Sequence, residues 1–380
     1  MSGRKKIIFI TGTRADYGKL IPLIKALRDE QEYEIHLFVT GMHLLERFGT
    51  TALEVLREND NVYLFNNQSS ASQIDLVVAN TIVGFSSYVE EMNPDMIVVH
   101  GDRAEALAGA IVGSLRGVRV AHIEGGELSG TVDEMLRHAV SKLSHLHLVA
   151  NEKAAVRLER MGESPASIEV VGSPDIDVML ADELPALSVV KKRYSLVFSN
   201  FAIAIFHPVV TEPAHQAKHA REFANALLES RRDYVLIDPN NDPGHKEIMR
   251  VYDDLLQTDR IARYPSIRFS HFLTLLKSAE FVVGNSSMGV REAPVYGKPS
   301  INIGSRQSGR ASSPTITNVA NGKKFILEAI AHISTQKAEV QTPKHEVLTE
   351  FGDGKAVERI IDTFRKPRTW KIPLQKQFLD

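Results

Sequence analysis

The feature that most constrains the fold of this chain is the alternation of short β-branched runs with longer helical patterns. Ile7–Ile10 and Tyr33–Thr40 have the composition of strands, and Lys19–Arg28 between them carries leucine and isoleucine at helical spacing. Met96–His100 and Val118–Ile123 continue the series, each after a helical stretch. Nearly continuous apolar strands separated by helices indicate a parallel sheet that is covered on both faces.

A second series of strands follows the stretch Val-Val-Gly-Ser-Pro at residues 170–174. It comprises Ala202–Phe206, Tyr234–Ile237, Phe281–Val283 and Ser300–Ile303. The repeated pattern predicts an α/β protein with two Rossmann-like doubly wound domains that face a central cleft. Ligands in such sheets bind at the carboxyl ends of the strands.

The predicted domains are residues 1–170 and 171–355, joined at the Gly-Ser-Pro stretch. Two domains also suit a chain of 380 residues. The remaining segment, 356–380, has the pattern of a helix followed by an irregular end with the only tryptophan, Trp370. We expect this tail to pack back on the N-terminal domain.

The charge balance and the absence of cysteine exclude several classes of function. The chain has 45 basic and 47 acidic residues, so it offers no general positive field for nucleic acid or an anionic membrane. It has no cysteine, which excludes disulfides, thiolate zinc sites and cysteine nucleophiles. Polar residues interrupt the apolar run near the N-terminus, unlike a signal peptide. We therefore expect a cytoplasmic protein.

The first polar cluster after a strand is Thr11–Lys19. Gly12 permits a tight turn from strand to helix, and the N-terminus of a helix favours a phosphate group. Arg14 and Lys19 add positive charge. The spacing matches neither the dinucleotide fingerprint nor a P-loop. An ordinary turn with surface charges is the alternative.

Candidate carboxylates follow the next two predicted strands. Asp102, with Arg103 beside it, comes after Met96–His100, and it could either face the cleft or cap the next helix. Glu124 directly follows Val118–Ile123 and should lie at the rim of the cleft. Asp133 begins a predicted helix, where it could act in the site, cap the helix or pair with Arg137 one turn on. Carboxylates in different surroundings can serve as acid and base.

The predicted second domain carries a cluster suited to phosphate. Ser286 and Ser287 follow a strand and lead into a helix, and Glu292 lies about two turns further on, within reach of ribose hydroxyls. Helix capping by serine is the alternative. His207 follows Ala202–Phe206 and would face the same cleft, although a lone histidine is more often structural. His145 and His147 lack an evident third ligand, so we predict a structural pair and no metal site.

Seven blocks, in order along nearly the whole chain, match one family. They are TGTRADYGKL, VTGMH, HGDRAEALAG, HIEGGELSGTVDE, LSHLHLVANE, VGSPDIDVM and GNSSMGVREAP. The chain resembles the UDP-N-acetylglucosamine 2-epimerases, most closely their hydrolysing, sialic-acid-pathway branch. The resemblance implies a glycosyltransferase-B-like fold and a homo-oligomer, either dimer or tetramer. It also implies that residues 1–170 carry the proton-handling carboxylates and residues 171–355 bind UDP.

The resemblance implies a role for each candidate residue. Asp102, Glu124 and Asp133 would handle protons, with Arg103 beside them. The diphosphate and its surroundings would be held by Arg14, His207, Ser286 and Ser287, with Lys19 as a further positive charge. Glu292 would bind the ribose, and Phe272 would flank the uracil.

The implied reaction converts UDP-N-acetylglucosamine and water into N-acetylmannosamine and UDP through 2-acetamidoglucal, without a redox cofactor or metal. Three alternatives stay open at this stage. The substrate could be another UDP sugar, such as UDP-N,N'-diacetylbacillosamine. The chain could be a glycosyltransferase of the same fold, or a protein that binds a sugar nucleotide without turnover.

Overall fold

A computed structural model describes residues 3–69, 73–129, 132–181, 184–255, 258–309, 313–335 and 350–377. The chain divides into two compact units. The first contains Met1–Glu127, Asp133–Ala181 and Thr349–Asp380, and the second contains Leu128–Val132 and Asp182–Leu348. The first unit therefore extends beyond residue 170, where the sequence-based boundary was placed, and resumes before residue 356.

The first unit alternates strands and helices. Its strands are β1 (Lys5–Thr11), β2 (Tyr33–Val39), β3 (Val62–Leu64), β4 (Met96–His100), β5 (Arg119–Ile123), β6 (Leu146–Val149) and β7 (Ile168–Val170). Its helices are α1 (Arg14–Asp29), α2 (Ala52–Glu58), α3 (Ile74–Met92), α4 (Ala104–Leu115), α5 (Val132–Leu143), α6 (Glu152–Arg160) and α7 (Pro174–Leu180). Short 3₁₀ helices occupy Gly41–Leu44, Glu46–Phe48 and Pro165–Ser167.

The second unit repeats this alternation. Its strands are β8 (Ala202–Ile205), β9 (Tyr234–Ile237), β10 (Ile261–Tyr264), β11 (Val282–Gly284), β12 (Ser300–Ile303) and β13 (Ile316–Val319). Its helices are α8 (Leu187–Arg193), α9 (Gln216–Glu229), α10 (His245–Leu255), α11 (Phe269–Ser278), α12 (Glu292–Val295) and α13 (Lys323–Thr335), with 3₁₀ helices at Pro213–His215 and Ser287–Gly289. The chain then returns to the first unit with α14 (Ala356–Arg365) and a 3₁₀ helix, Thr369–Lys371.

Both sheets are parallel and doubly wound. The first has the order β3-β2-β1-β4-β5-β6-β7 and the second β10-β9-β8-β11-β12-β13. In the first sheet Ile7 of β1 is in register with Ile35 of β2 and with Met96 of β4. The strand order reverses between β1 and β4, and again between β8 and β11. Such a switch point is where open α/β sheets bind ligands, beyond the carboxyl ends of the strands.

Helix α1 begins five residues before the predicted start at Lys19, because its first turn is capped by side chains. Thr13 Oγ1 accepts a hydrogen bond from the Asp16 backbone N–H at 3.2 Å, and the Asp16 carboxylate accepts one from the Thr13 N–H. This capping box satisfies amides that a helix otherwise leaves without partners. It fixes the turn after β1 and places Arg14 at the start of the helix.

Helix α14 completes the core of the first unit. Its first backbone amides, those of Ala356 and Val357, donate to the Asp177 carboxylate of α7 at 2.9 and 2.7 Å. Ile360 and Phe364 are fully buried in the cluster built on β1 and β2. Trp370 donates its indole N–H to the Phe364 carbonyl at 2.7 Å. The C-terminal segment is therefore a structural part of the first unit.

The core of the second unit packs α9, α10 and α13 against its sheet. Phe206 stacks on Phe223 with ring centroids 5.0 Å apart, and both side chains are buried. Gly284 ends β11 with φ of +145°. A Cβ there would lie 1.7 Å from the Ile205 carbonyl oxygen, so only glycine lets β11 approach β8 at the residue that precedes Asn285.

Among the described residues, no helix combines the length and apolar character needed to cross a membrane.

Candidate active site

Three strands of the first sheet end at the predicted site residues. β1 leads to Arg14, β4 to Asp102 and Arg103, and β5 to Glu124. These strands are neighbours around the switch point, in the order β1, β4, β5. The sheet therefore brings together at one edge the first-unit groups that the sequence predicted from separate motifs.

Glu124 has a strained backbone and a buried carboxylate. Its φ is +63°, in the left-handed region that residues other than glycine rarely adopt, and it is 4% exposed. Its Oε1 lies within hydrogen-bond distance of the Ser173 hydroxyl oxygen. Its Oε2 lies 3.3 Å from His100 Nε2, although the two atoms are not aligned for a hydrogen bond. Such strain is typical of functional sites, where the surrounding structure holds the residue in place.

Arg137 joins the two central acidic residues of the first unit. Its guanidinium donates to the Asp102 carboxylate and, at 2.6 Å, to the Glu124 carbonyl oxygen. Arg137 is 1% exposed, which makes it one of the largest fully buried side chains. The sequence suggested it only as a helix partner of Asp133. Its contacts with residues of other elements became evident only in the fold.

Asp133 lies in the first turn of α5, on the same helix as Arg137, and is half-buried. Asp133 is therefore four residues from Arg137, the side chain that contacts Asp102 and Glu124. Residues 130 and 131, which precede this helix and belong to the HIEGGELSGTVDE block, lie outside the described residues.

The two predicted cations of the first cluster are engaged in ion pairs. Arg14 lies 2.7 Å from the Glu54 carboxylate of α2, and Lys19 lies 2.9 Å from the Asp175 carboxylate of α7. Both cations are partly exposed at these contacts. The pair between Lys19 and Asp175 links the first polar cluster to the VGSPDIDVM block.

Glu105 is a buried carboxylate that the sequence analysis did not single out. It is 3% exposed, and its Oε2 lies 3.6 Å from Arg103 Nε. A Cβ on Gly12 would lie 2.6 Å from the Glu105 carboxyl carbon, so the glycine in the turn after β1 leaves room for this acid. The Glu105 carboxyl group therefore lies beside Arg103 in the turn after β4.

The histidines near the first site are structural. His122 donates its Nε2–H to the Gly101 carbonyl at 2.8 Å, and its Nδ1 lies 3.0 Å from Ser141 Oγ. Burial lowers the pKa of His122 to about 3. His147 contacts the Glu163 carboxylate at 2.9 Å, and His145 accepts from the Val120 N–H. Burial lowers the pKa of His147.

The second unit places its predicted residues at the ends of β8 and β11. The Asn285 side chain accepts from the His207 N–H at 2.6 Å and donates to the His207 carbonyl at 2.9 Å. The His207 ring accepts from the Asn240 N–H at 3.1 Å. Asn285 was not predicted, although it stands directly before the two serines. Its side chain holds the backbone of His207 beside the loop that carries Ser286 and Ser287.

The remaining second-unit candidates differ in exposure. Ser286 caps the short 3₁₀ helix by accepting a hydrogen bond from the Met288 N–H, as the capping alternative predicted. Ser286 and Ser287 are both partly exposed. Glu292 is 4% exposed at the start of α12. Phe272 is 8% exposed and stacks on Phe269 with ring centroids 6.4 Å apart.

Comparison with known proteins decides the family. A family model described as UDP-N-acetylglucosamine 2-epimerase matches residues 25–365. The chain belongs to the UDP-N-acetylglucosamine 2-epimerase family. The resemblance inferred from the seven motif blocks is thereby confirmed.

Two relatives of this epimerase-family chain are similar over its whole length. It is 46% identical over 382 residues to "UDP-N-acetylglucosamine 2-epimerase" of Neisseria meningitidis serogroup B, with 99% of each chain covered. It is 32% identical over 383 residues to "UDP-N,N'-diacetylbacillosamine 2-epimerase (hydrolyzing)" of Legionella pneumophila, with 99% of this chain and 98% of the relative covered.

A solved structure agrees with the fold. The UDP-GlcNAc 2-epimerase of Methanocaldococcus jannaschii, in complex with UDP-GlcNAc and UDP, superposes with a TM-score of 0.78 at 22% identity, covering 94% of this epimerase-family chain and 99% of that chain. The predicted fold class, two Rossmann-like parallel-sheet domains of the glycosyltransferase-B type, is confirmed.

Proposed function

We propose that this chain is a hydrolysing UDP-N-acetylglucosamine 2-epimerase that forms N-acetylmannosamine and UDP, for the synthesis of sialic acid or a related nonulosonate. Family membership supports the substrate and the position of epimerisation. The observation that carries the chemistry is Glu124, which has a buried carboxylate and a strained backbone whose carbonyl is joined through Arg137 to Asp102. The proposal includes a cytoplasmic location and a homo-oligomer, both of which rest on the sequence.

The proposed reaction has two halves. In the first, the C1–O bond to UDP breaks and the C2 proton is removed, so that the electrons of the C2–H bond form the C1=C2 bond of 2-acetamidoglucal. In the second, the hydroxyl of water adds to C1 and a proton adds to C2 on the same face of the ring. This face is opposite to the one from which the first proton left, so C2 is inverted. UDP is a good leaving group, so its departure can precede proton removal and leave positive charge on the sugar.

Carboxylates suit both halves of this reaction. They stabilise an oxocarbenium-like sugar and can accept or donate protons when their surroundings separate their pKa values. We assign these roles to Asp102, Glu124 and Asp133 together, with Arg103 beside them. The Glu124 carboxylate has access to a buried hydroxyl and a histidine, which gives it more than one possible proton partner.

We assign binding of the nucleotide to the polar groups at the ends of β8 and β11. His207, Ser286 and Ser287 would contact the diphosphate, Glu292 the ribose and Phe272 the uracil. Arg14 and Lys19 would add positive charge from the first unit. Donors fixed at a strand end stabilise the negative charge that develops on departing UDP. These assignments require neither a metal nor a redox cofactor.

The test is to incubate the protein with UDP-N-acetylglucosamine in D₂O and to identify the products by NMR. We expect free N-acetylmannosamine with deuterium at C2, together with UDP. Release of UDP-N-acetylmannosamine would instead show a non-hydrolysing epimerase. Transfer of the sugar without deuterium at C2 would show a glycosyltransferase, and absence of UDP release would show a binding protein without turnover.

UDP-N,N'-diacetylbacillosamine is the second candidate substrate, because the Legionella pneumophila relative named for it covers the whole chain. The two sugars share the reacting C1 and C2 and differ at C4 and C6. Comparison of kcat/KM for the two substrates decides between them. We expect UDP-N-acetylglucosamine to be preferred, in line with the higher identity to the Neisseria meningitidis relative.

Replacement of Glu124 by Gln tests the assignment of proton transfer. We expect Glu124→Gln to lower kcat between about 10²- and 10⁴-fold, the usual contribution of a general acid or base, while UDP affinity in a calorimetric titration stays within a few-fold of wild type. Glu90→Gln is the control, because Glu90 is an exposed partner of Arg116. Near-normal turnover by Glu124→Gln would refute the assignment.

A further inference from the structure

A continuous chain of polar side chains runs from α1 to Glu124 inside the first unit. Ser173 Oγ is within hydrogen-bond distance of Glu124 Oε1 and of Asp175 Oδ1. Asp175 Oδ2 accepts a hydrogen bond from Lys19 Nζ at 2.9 Å. Ser173 and Asp175 are fully buried, and Glu124 nearly so. Solvent therefore screens these contacts weakly.

The number of hydrogens available to Ser173 constrains the charge of its two acidic neighbours. A serine hydroxyl has one hydrogen to donate. If both carboxyl groups were ionised, Ser173 could satisfy only one of them. Both contacts are hydrogen bonds when Glu124 and Asp175 together carry one proton, so that one of them donates to Ser173 Oγ. Two carboxylates that share a buried site also disfavour simultaneous ionisation.

The charges around the pair decide which member carries the proton. Lys19 contacts Asp175 directly and stabilises its ionised form. Asp177, the other acid of α7, accepts from the first amides of α14. On the other side, His100 Nε2 lies 3.3 Å from Glu124 Oε2, and Arg137 donates to Asp102 and to the Glu124 carbonyl. Because Lys19 Nζ lies 2.9 Å from Asp175 Oδ2 and favours its ionised form, we place the shared proton on Glu124.

We propose that Glu124 and Asp175 share one proton through the Ser173 hydroxyl, and that Asp175 is the positioning residue that sets the protonation state of Glu124. The inference deepens the proposed function and rests on it for its role in catalysis. In the resting arrangement Glu124 donates to Ser173 Oγ, Ser173 donates to Asp175 Oδ1, and Lys19 donates to Asp175 Oδ2.

The proton shift between the two acids is balanced. The Glu124 Oε1–H bond breaks as its hydrogen passes to Ser173 Oγ, and the original Ser173 hydrogen passes to Asp175 Oδ1. Asp175 becomes neutral, and Glu124 can accept a proton at Oε2 at the same time. The reverse shift returns a proton to Glu124 Oε1 and frees the one on Oε2. Glu124 thus exchanges a proton at Oε2, while the compensating proton moves between Glu124 Oε1 and Asp175 Oδ1 through Ser173.

The pH profile of turnover tests the role of Asp175. Interacting carboxyl groups titrate in two steps that belong to the pair. Asp175→Asn leaves one titrating group and removes the charge that keeps Glu124 protonated, so we expect the alkaline limb of the kcat profile to move to lower pH by about one unit. Ser173→Ala should move the same limb in the same direction. Asp177→Asn removes an equal charge from the same helix without contacting Ser173, and should leave the limb in place.

Infrared spectroscopy of the substrate-free protein tests the shared proton without any assay of function. We expect a neutral carboxyl stretch near neutral pH in wild type and in Asp177→Asn, and its loss in both Glu124→Gln and Asp175→Asn. A wild-type spectrum without this band, or a band that persists in both variants, would overturn the proposal. So would an unchanged pH profile in folded Asp175→Asn and Ser173→Ala. If the wild-type protein forms no N-acetylmannosamine, the proposed function fails while the infrared result still stands.

Discussion

Arg137 shows how a single side chain can organise a group of acids. Its guanidinium is planar and presents several N–H donors in a fixed arrangement. It uses them on the Asp102 carboxylate and on the carbonyl of the strained Glu124. The two contacts fix the loop after β4 relative to the loop after β5. A lysine at this position would supply the charge without the paired geometry.

Arg137→Met should therefore destabilise the protein and impair turnover together. Breaking a buried ion pair from one side usually lowers the free energy of unfolding by about 3–5 kcal/mol, and Asp102 is partly exposed, so we expect a loss near the lower figure. Urea unfolding measures it. The double variant Asp102→Asn/Arg137→Met should be less destabilised than the sum of the two single variants. Additive losses would show that the two side chains act independently.

His43 should make the stability of the protein depend on pH. It is fully buried between the hydroxyls of Thr11 and Thr51, and burial lowers its pKa from 6.5 to about 4. Between these values the unfolded chain binds a proton that the folded chain does not, so stability falls as the pH is lowered through this window and levels off below it.

His43→Gln should reduce the slope of unfolding free energy against pH by about 1.4 kcal/mol per pH unit within that window. Urea unfolding at a series of pH values gives the slope. His332→Gln is the control, because His332 is exposed on α13 and should leave the slope unchanged. An unaltered slope in His43→Gln would show that another group dominates the acid sensitivity.

Site residues that follow a strand could be predicted, because parallel strands end at a common edge. Asp102, Glu124 and His207 were found in this way. Arg137, Ser173 and Asn285 take their importance from contacts with residues distant in sequence, such as the 49-residue separation between Glu124 and Ser173. No local pattern signals such contacts.

Among the elements, strand β4 matched its predicted bounds, because it is a continuous apolar stretch with a clear polar end. Helix α1 was predicted too short because its first turn, Arg14–Gly18, contains no leucine or isoleucine, and its start is set by the Thr13–Asp16 cap. Apolar periodicity locates the buried part of a helix and misses a turn that side-chain capping stabilises.

The C-terminal helix α14 should be essential for the first unit. Phe364 is fully buried in that core, so Phe364→Ala should lower the free energy of unfolding by about 3–5 kcal/mol. Phe325→Ala on α13 is the matched control, because Phe325 is 47% exposed and its loss should change stability by no more than about 0.5 kcal/mol. Equal losses in the two variants, measured by urea unfolding, would contradict the role assigned to α14.

For the whole molecule, the two separate cores predict two regions of local stability. Phe364 belongs to the core of the first unit and Phe223 to that of the second. Domains with their own cores can respond to substitutions individually. Hydrogen exchange followed by mass spectrometry should show faster exchange in β1 and β2 for Phe364→Ala, and in β8 and β9 for Phe223→Ala. A uniform increase across both sheets in each variant would indicate one cooperative unit instead.

The first unit contains both the beginning and the end of the chain. During translation, every residue of the second unit is therefore synthesised before Ile360 and Phe364. These two side chains fill the core of the first unit. The first unit therefore cannot complete its core until the second unit has been translated. A premature stop codon just before α14 would leave the core of the second unit, to which we assign nucleotide binding, complete. The first unit, which carries Glu124, would lack part of its core.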